Sequence, residues 1–478
     1  MERRTTLHRL ANGWAFLLVE RHQAPVFAFV TIANVGAAQE QTGQTGLAHM
    51  FEHMAFKGTT RIGTRDYPAE KPALEREAAA YDAWQAERLA PKPDAARLAQ
   101  LEKDFRAAQE AADAFVVKNE FGQIIEQQGG TGLNANTSAD ATRYFYSLPA
   151  NKVELFCYLE SERFLHPVLR QFYRERDVVM EERRMRVDNN PPGRLIEQLV
   201  GTAFLAHPYG RPAVGFMSDL QSFTVEEAQA FFDRYYGPSN LTTVLVGDLD
   251  PKAVIPLLET YFGRIPARPS PPPVVTVEPA QGGEKTVVLQ DRSQPIYIEA
   301  YHRPALTHPD NAVYDALDDI LTNGRSSRLH RSLVRDQKIA VDVGSVSALP
   351  GPRYPHLWAA YAIAAQGAPH DKIEQAIHAE LDRLKSEDVE PGELAKFKTR
   401  SRAQLLRQME SNAGLGLLLA EYQRLFGDWR ELFRELGRID AVQPADLRRV
   451  AAATFTAANR TVARIETTAP PATPGNGR

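Results

Sequence analysis

The chain has 478 residues, 43% hydrophobic and 24% charged, with a formal net charge of −4 and one cysteine. That length predicts two or more domains. Mixed-sign charge without a basic block argues against a nucleic-acid binder. A lone cysteine excludes an intrachain disulfide, and no stretch reaches the length of a membrane span.

The opening, Met1-Glu-Arg-Arg-Thr-Thr, runs into a strand-like segment and has no apolar core of a signal peptide. As read, the chain is cytoplasmic; it is periplasmic if a signal was removed. Alternating patterns over 13–20 and 26–34 predict strands. Gly43 and Gly46 then supply a turn before His49-Met-Phe-Glu-His53. On a helix, positions i, i+3 and i+4 share a face, so His49 and His53 stand side by side with Glu52 next to them. Two neutral imidazoles one turn apart can grip a divalent zinc. A carboxylate outside the ligand set can take a proton from water that the metal activates. The pattern inverts the better-known His-Glu-x-x-His zinc peptidase helix. Leu47, Ala48, Met50, Phe51, Met54, Ala55 and Phe56 make the helix apolar nearly all round, which predicts burial. Polar groups buried there are costly unless something pairs with them, and a metal would.

Residues 70–118 are rich in Ala, Glu, Arg and Gln, broken by Pro91-Lys92-Pro93. They predict an antiparallel helical hairpin inserted into the first domain. Its second arm carries Leu98, Leu101, Phe105, Ala108 and Ala112 at helical spacing. A strand over 241–246 ends at Gly247-Asp248. Pro266 to Pro279, including Pro271-Pro272-Pro273, suits an interdomain linker. The expected organisation is an α+β chain of two homologous α/β domains, each a mixed sheet with helices packed on it. The first, 1–265, carries the metal site. A linker over 266–283 leads to a second domain, 284–467, without one. The Pro, Gly and Thr tail, 468–478, is expected to be disordered.

The homology is read from two stretches. Residues 224–240 and 443–459 each form a helix start, a helix, a turn with an Asn sixteen residues on, and then a strand. Both starts carry an acid three residues in, Glu227 and Asp446, as helix N-termini prefer. The metal helix has an expected counterpart at 315–322, where Leu317, Ile320 and Leu321 keep the apolar spacing but no His is present.

A catalytic zinc usually takes three protein ligands. The densest downstream acidic run is Tyr173-Arg-Glu-Arg-Asp-Val-Val-Met-Glu-Glu. Glu175 and Glu182 are two turns apart and share a face, with Glu181 about 100° round. Spacing alone leaves the three as rivals, or as a solvated, salt-bridged helix.

Three motifs resemble the pitrilysin/insulinase family of zinc metallopeptidases: Gly46-Leu-Ala-His-Met-Phe-Glu-His-Met-Ala-Phe-Lys-Gly-Thr59, Leu133-Asn-Ala-Asn-Thr137 and Glu175-Arg-Asp-Val-Val-Met-Glu-Glu182. Tyr235-Tyr-Gly-Pro-Ser-Asn240 fits too. The resemblance implies one Zn2+ per chain on His49, His53 and Glu182. It implies Glu52 as general base and Glu175 orienting a ligand by hydrogen bonding. It further implies an edge strand around Asn134 and Ala135 to which an extended peptide substrate adds. Val341 stands where many relatives have Tyr, so no substrate-contacting Arg/Tyr pair is assigned. The implied activity is a zinc-dependent endopeptidase acting on unfolded peptides or short polypeptides. The alternative is a non-catalytic partner subunit. Because relatives enclose a chamber with four such domains, the resemblance also implies a homodimer, or a heterodimer with a homologous subunit.

Overall fold

The computed structural model describes residues 2–468. The tail expected to be disordered, 468–478, lies outside them apart from Thr468. The chain divides into two compact units.

Unit 1 comprises 1–183, 212–274 and 408–429. Its sheet has six strands: β1 (Thr5–Arg9), β2 (Ala15–Glu20), β3 (Val26–Ala33), β4 (Thr131–Thr137), β5 (Thr142–Pro149) and β6 (Leu241–Gly247). The order is β1-β2-β6-β3-β5-β4, and only β2 and β6 run parallel. β5 alternates buried and half-buried residues along its length, as a strand with one core face should. β2, β3 and β6 are buried nearly throughout, so both their faces are covered. Trp14, Phe16, Phe29, Phe156 and Phe262 form an aromatic core on one face. Trp14 Nε1 donates to Thr243 Oγ1 at 3.0 Å, which satisfies the one polar atom of that indole.

Four helices of unit 1 concern the site. Helix α1, the expected metal helix, spans Leu47–Met54, and α2 (Tyr67–Arg88) and α3 (Ala95–Asp113) form the antiparallel hairpin. Asp66 and Asp94 cap the hairpin's two helices by accepting from Ala69, Ala96 and Arg97 amides. Tyr81, Trp84 and Phe105 pack between its arms. A further helix, Phe172–Arg183, carries the acidic run and packs on α1.

Unit 2 comprises 184–211, 275–407 and 430–478. Its sheet holds β7 (Lys285–Asp291), β8 (Ile296–Arg303), β9 (Ala340–Leu349), β10 (His356–Ala364) and β11 (Arg460–Thr467), in the order β7-β11-β8-β10-β9. Only β7 and β11 are parallel. Position for position this repeats β2-β6-β3-β5-β4, so the fold is duplicated. The two turn asparagines behave alike. Asn240 Nδ2 donates to the carbonyls of Tyr235 and Asn34. Asn459 Nδ2 donates to those of Thr454 and His302. The helix Asn311–Thr322 follows β8 as α1 follows β3, and it contains no His.

The units differ from contiguous domains at 1–265 and 284–467 in two segments. The helix Pro191–Ala203 buries Leu195, Leu199, Val200 and Ala203 and packs on β7 and β11 of unit 2. The helix Asn412–Phe426 buries Leu415, Leu419 and Ala420 and packs on β3 and β6 of unit 1. Gly416 allows the second approach, since a Cβ there would lie 3.5 Å from Val30 and 3.6 Å from Val246. Each helix is amphipathic, and an apolar stripe says that a sheet will cover it, not which sheet. The change from unit 1 to unit 2 at 274/275 falls inside the Pro-rich stretch, where no helix or strand forms between Phe262 and Lys285.

Candidate metal centre

The start of α1 is built by a glycine and a buried acid. Gly46 takes φ +98°, and a Cβ there would approach the Val214 carbonyl oxygen to 2.8 Å and Leu220 Cδ2 to 2.9 Å. The Glu40 carboxylate, 3% exposed, accepts from the amides of Gly46 and Ala48, both at 2.8 Å. It satisfies first-turn donors and sits at the positive end of the helix dipole. Thr45 is held beside it, its amide and hydroxyl donating to Asp219 at 3.1 and 2.7 Å.

One turn on, His49 and His53 present their rings perpendicular, with centroids 5.0 Å apart. Glu182, near the end of the helix Phe172–Arg183, faces both. His49 Nε2 lies 3.6 Å from Glu182 Oε1, and His53 Nε2 lies 3.4 Å from Glu182 Oε2. One ligand atom from each of the three residues falls within 4.8 Å of the others. Two imidazole nitrogens and a carboxylate oxygen so converged match the His2Glu donor set of catalytic zinc sites. Of the rivals, Glu181 is exposed on the helix. Glu175 meets the other nitrogen of an imidazole, His53 Nδ1, at 3.3 Å. Glu52 is half-buried, and its charge acts on the buried hydroxyls of Tyr144 and Tyr236.

Burial works against the His53 imidazolium. The bonds to Glu175 and Glu182 outweigh it and raise the pKa to about 9. Burial likewise opposes the Glu175 carboxylate, yet hydrogen bonds from His53 and Lys57 hold its pKa below the ordinary value. Lys57 Nζ bonds Glu175 Oε1, the oxygen that His53 does not use.

Asn134 and Ala135 lie on β4, the end strand of the sheet, and α1 packs against β4 and β5. Asn134 is exposed and Ala135 buried. The Asn134 side chain accepts from the Ala135 amide at 2.8 Å. β4 shifts register against β5 between Thr131 and Asn134, where Gly132 takes φ +69°.

Sequence reasoning missed Glu40, Lys57 as an ion-pair partner, and Arg170. Arg170 is buried just before the acidic helix and bonds Glu70 and three loop carbonyls after α1. Lys57 stood inside the motif itself. Nothing local marks Arg170, since its partners come from elsewhere in the fold.

Residues 16–82 and 116–215 match the family model for insulinase, peptidase family M16. Residues 222–401 match the model described as the peptidase M16 inactive domain. The gap between the first two matches, 83–115, takes in the end of α2 and the whole second arm of the helical hairpin. The chain is 29% identical over 426 residues to the zinc protease PqqE of Helicobacter pylori, covering 86% of this chain and 82% of that one. It is 24% identical over 465 residues to a probable mitochondrial-processing peptidase subunit beta of Arabidopsis thaliana, covering 94% and 75%. Among solved structures, a protease from Helicobacter pylori superposes with a TM-score of 0.81 at 26% identity, over 97% of this chain and 99% of that one. The periplasmic protease PqqL from Escherichia coli gives 0.70 at 17% identity, over 97% of this chain but 48% of that one. Taken with the duplicated fold, the two family matches establish that the chain belongs to the pitrilysin/insulinase family, peptidase family M16.

Proposed function

We propose that the chain is a zinc-dependent endopeptidase, with one zinc held by His49, His53 and Glu182. The observation that carries this is the convergence of two imidazole nitrogens and a carboxylate oxygen within 4.8 Å, with Glu52 on the helix of the two histidines. When bound, zinc supplies Lewis acidity, polarising a carbonyl and making water acidic near neutral pH. Glu52 takes a proton from the attacking water and passes it to the leaving amine nitrogen. Glu175 accepts from His53 Nδ1, which directs Nε2 to the metal. An unfolded peptide or short polypeptide lies extended along β4 near Asn134 and Ala135, held through its backbone.

Purified chain is expected to carry about one zinc per molecule and to cut peptides in an unbiased library read by mass spectrometry. Glu52→Gln should keep the zinc and lose roughly 100-fold to 10,000-fold in rate. Loss of zinc in that variant would overturn the role given to Glu52. Zinc uptake without cleavage by the unmodified chain would favour the non-catalytic partner reading.

The chain acts as a dimer, with itself or with a homologous subunit, so that the centre is closed off from folded proteins. Support comes from the similarity to a chain of about twice this length and to a processing-peptidase subunit. Light scattering on active material, alongside cleavage of a folded protein and its unfolded form, tests this. A fully active monomer that cuts both equally would refute it.

A further inference from the structure

We infer that Lys57 is a positioning residue of the metal centre, acting on His53 through Glu175. The inference rests on the reading of His53 as a zinc ligand. It adds a group outside the set that the motif resemblance assigned.

Lys57 follows the metal helix by three residues and is held at both ends. Its carbonyl accepts from Arg170 NH1 at 2.7 Å, which fixes the backbone relative to the acidic helix. Its ammonium pairs with Glu175 Oε1. The other oxygen of Glu175 faces His53 Nδ1 at 3.3 Å, and His53 Nε2 points to Glu182. The Glu175 side chain has three rotatable bonds, and one hydrogen bond does not set them all. The ammonium holds the second oxygen and so aims the first at the imidazole. The contact is shielded, with side-chain exposures of 23% for Lys57 and 16% for Glu175, so it is less weakened by water than a surface pair. Lys57 thus orients Glu175, and Glu175 holds the His53 ring so that Nε2 is offered to the metal.

A second feature makes the idea testable. Lys57 lines a cavity of about 380 Å³, shared with Phe56, Val117, Lys118, Phe121 and Gln171. Shortening its side chain would leave room for a small amine to enter from that side.

The experiment measures zinc affinity by chelator competition, and kcat and KM separately, for the parent, Lys57→Met and Lys57→Ala. Lys57→Met keeps the stem and removes only the charge, so it guards against misfolding, which circular dichroism checks. Both variants are expected to bind zinc about 10-fold to 100-fold more weakly, with kcat reduced at saturating zinc and KM little changed. Ethylammonium added to Lys57→Ala should restore part of the zinc affinity, but should not act on Lys57→Met, whose stem fills the space. Unchanged zinc affinity in folded Lys57→Met and Lys57→Ala, beside a parent that binds zinc and cleaves, would overturn the role of Lys57 alone. A parent that takes up no zinc would overturn both this inference and the proposed function.

Discussion

Arg170 and Glu70 form a two-point ion pair in the interior of unit 1. Arg170 Nε meets Glu70 Oε1 at 2.5 Å and its NH2 meets Oε2 at 2.8 Å, with side chains 1% and 0% exposed. The guanidinium also donates to the carbonyls of Lys57, Thr59 and Ile62. One side chain therefore ties the first turn of the hairpin to the loop that leaves the metal helix. Gly58 makes that loop tight enough: at φ +96° a Cβ would fall 2.1 Å from the Ile62 carbonyl oxygen.

Breaking this pair should be costly, because one partner alone leaves a buried charge uncompensated. Arg170→Met is expected to lose about 3–5 kcal/mol. Glu70→Leu combined with Arg170→Met should recover part of that loss. Full recovery is not expected, because the three loop carbonyls still lack their donor. Urea unfolding of the three proteins checks it, and a double variant no more stable than Arg170→Met would refute the account.

The two acids of the site should separate in metal analysis. In the proposed centre Glu182→Gln removes a ligand, so it is expected to weaken zinc binding sharply. Glu175→Gln leaves all three ligands and should keep measurable zinc, about 10-fold to 100-fold weaker. Equal retention in both purified variants would count against Glu182 as the third ligand.

Local spacing carried the parts of the site that lie on one helix. His49, Glu52 and His53 are placed by helical period alone, and the apolar residues around them announced burial. Glu182 was harder, because the phase of a polar helix is set by what it packs on. Tertiary contact with α1 turns Glu182 inward and leaves Glu181 exposed. The duplication was legible because each copy repeats a cap, a helix and a bonded asparagine within a short stretch. The placement of Pro191–Ala203 and Asn412–Phe426 was not, since each packs on a sheet whose strands lie mostly far away in sequence.

A peptide held on β4 through its backbone should tolerate side-chain changes but not the loss of backbone donors. N-methylation at single positions of a cleaved peptide is expected to raise KM about fivefold for each bond blocked. Alanine at the same positions should have smaller effects. Kinetics on the two peptide series decide it, and the reverse ranking would count against strand addition.

Glu77 gives the hairpin a pH dependence. It lies on α2, 4% exposed. Burial pushes its carboxyl up, and the charge of Asp113 adds to this; a bond from Gln109 and the Arg174 charge oppose it, and the pKa settles at about 7. The folded value lies above the unfolded one, so folding favours the protonated acid. The stability this provides is full below about pH 4.5 and is lost as pH rises through 7. A shift from 4.5 to about 7 corresponds to roughly 3 kcal/mol at the alkaline limit. Glu77→Gln resembles the protonated acid at every pH. Its melting temperature should match the parent near pH 5 and exceed it at pH 8. Equal melting curves at pH 8 would mean that the ionised carboxylate is accommodated in the hairpin, with the Gln109 amide and Arg174 sufficient to hold it.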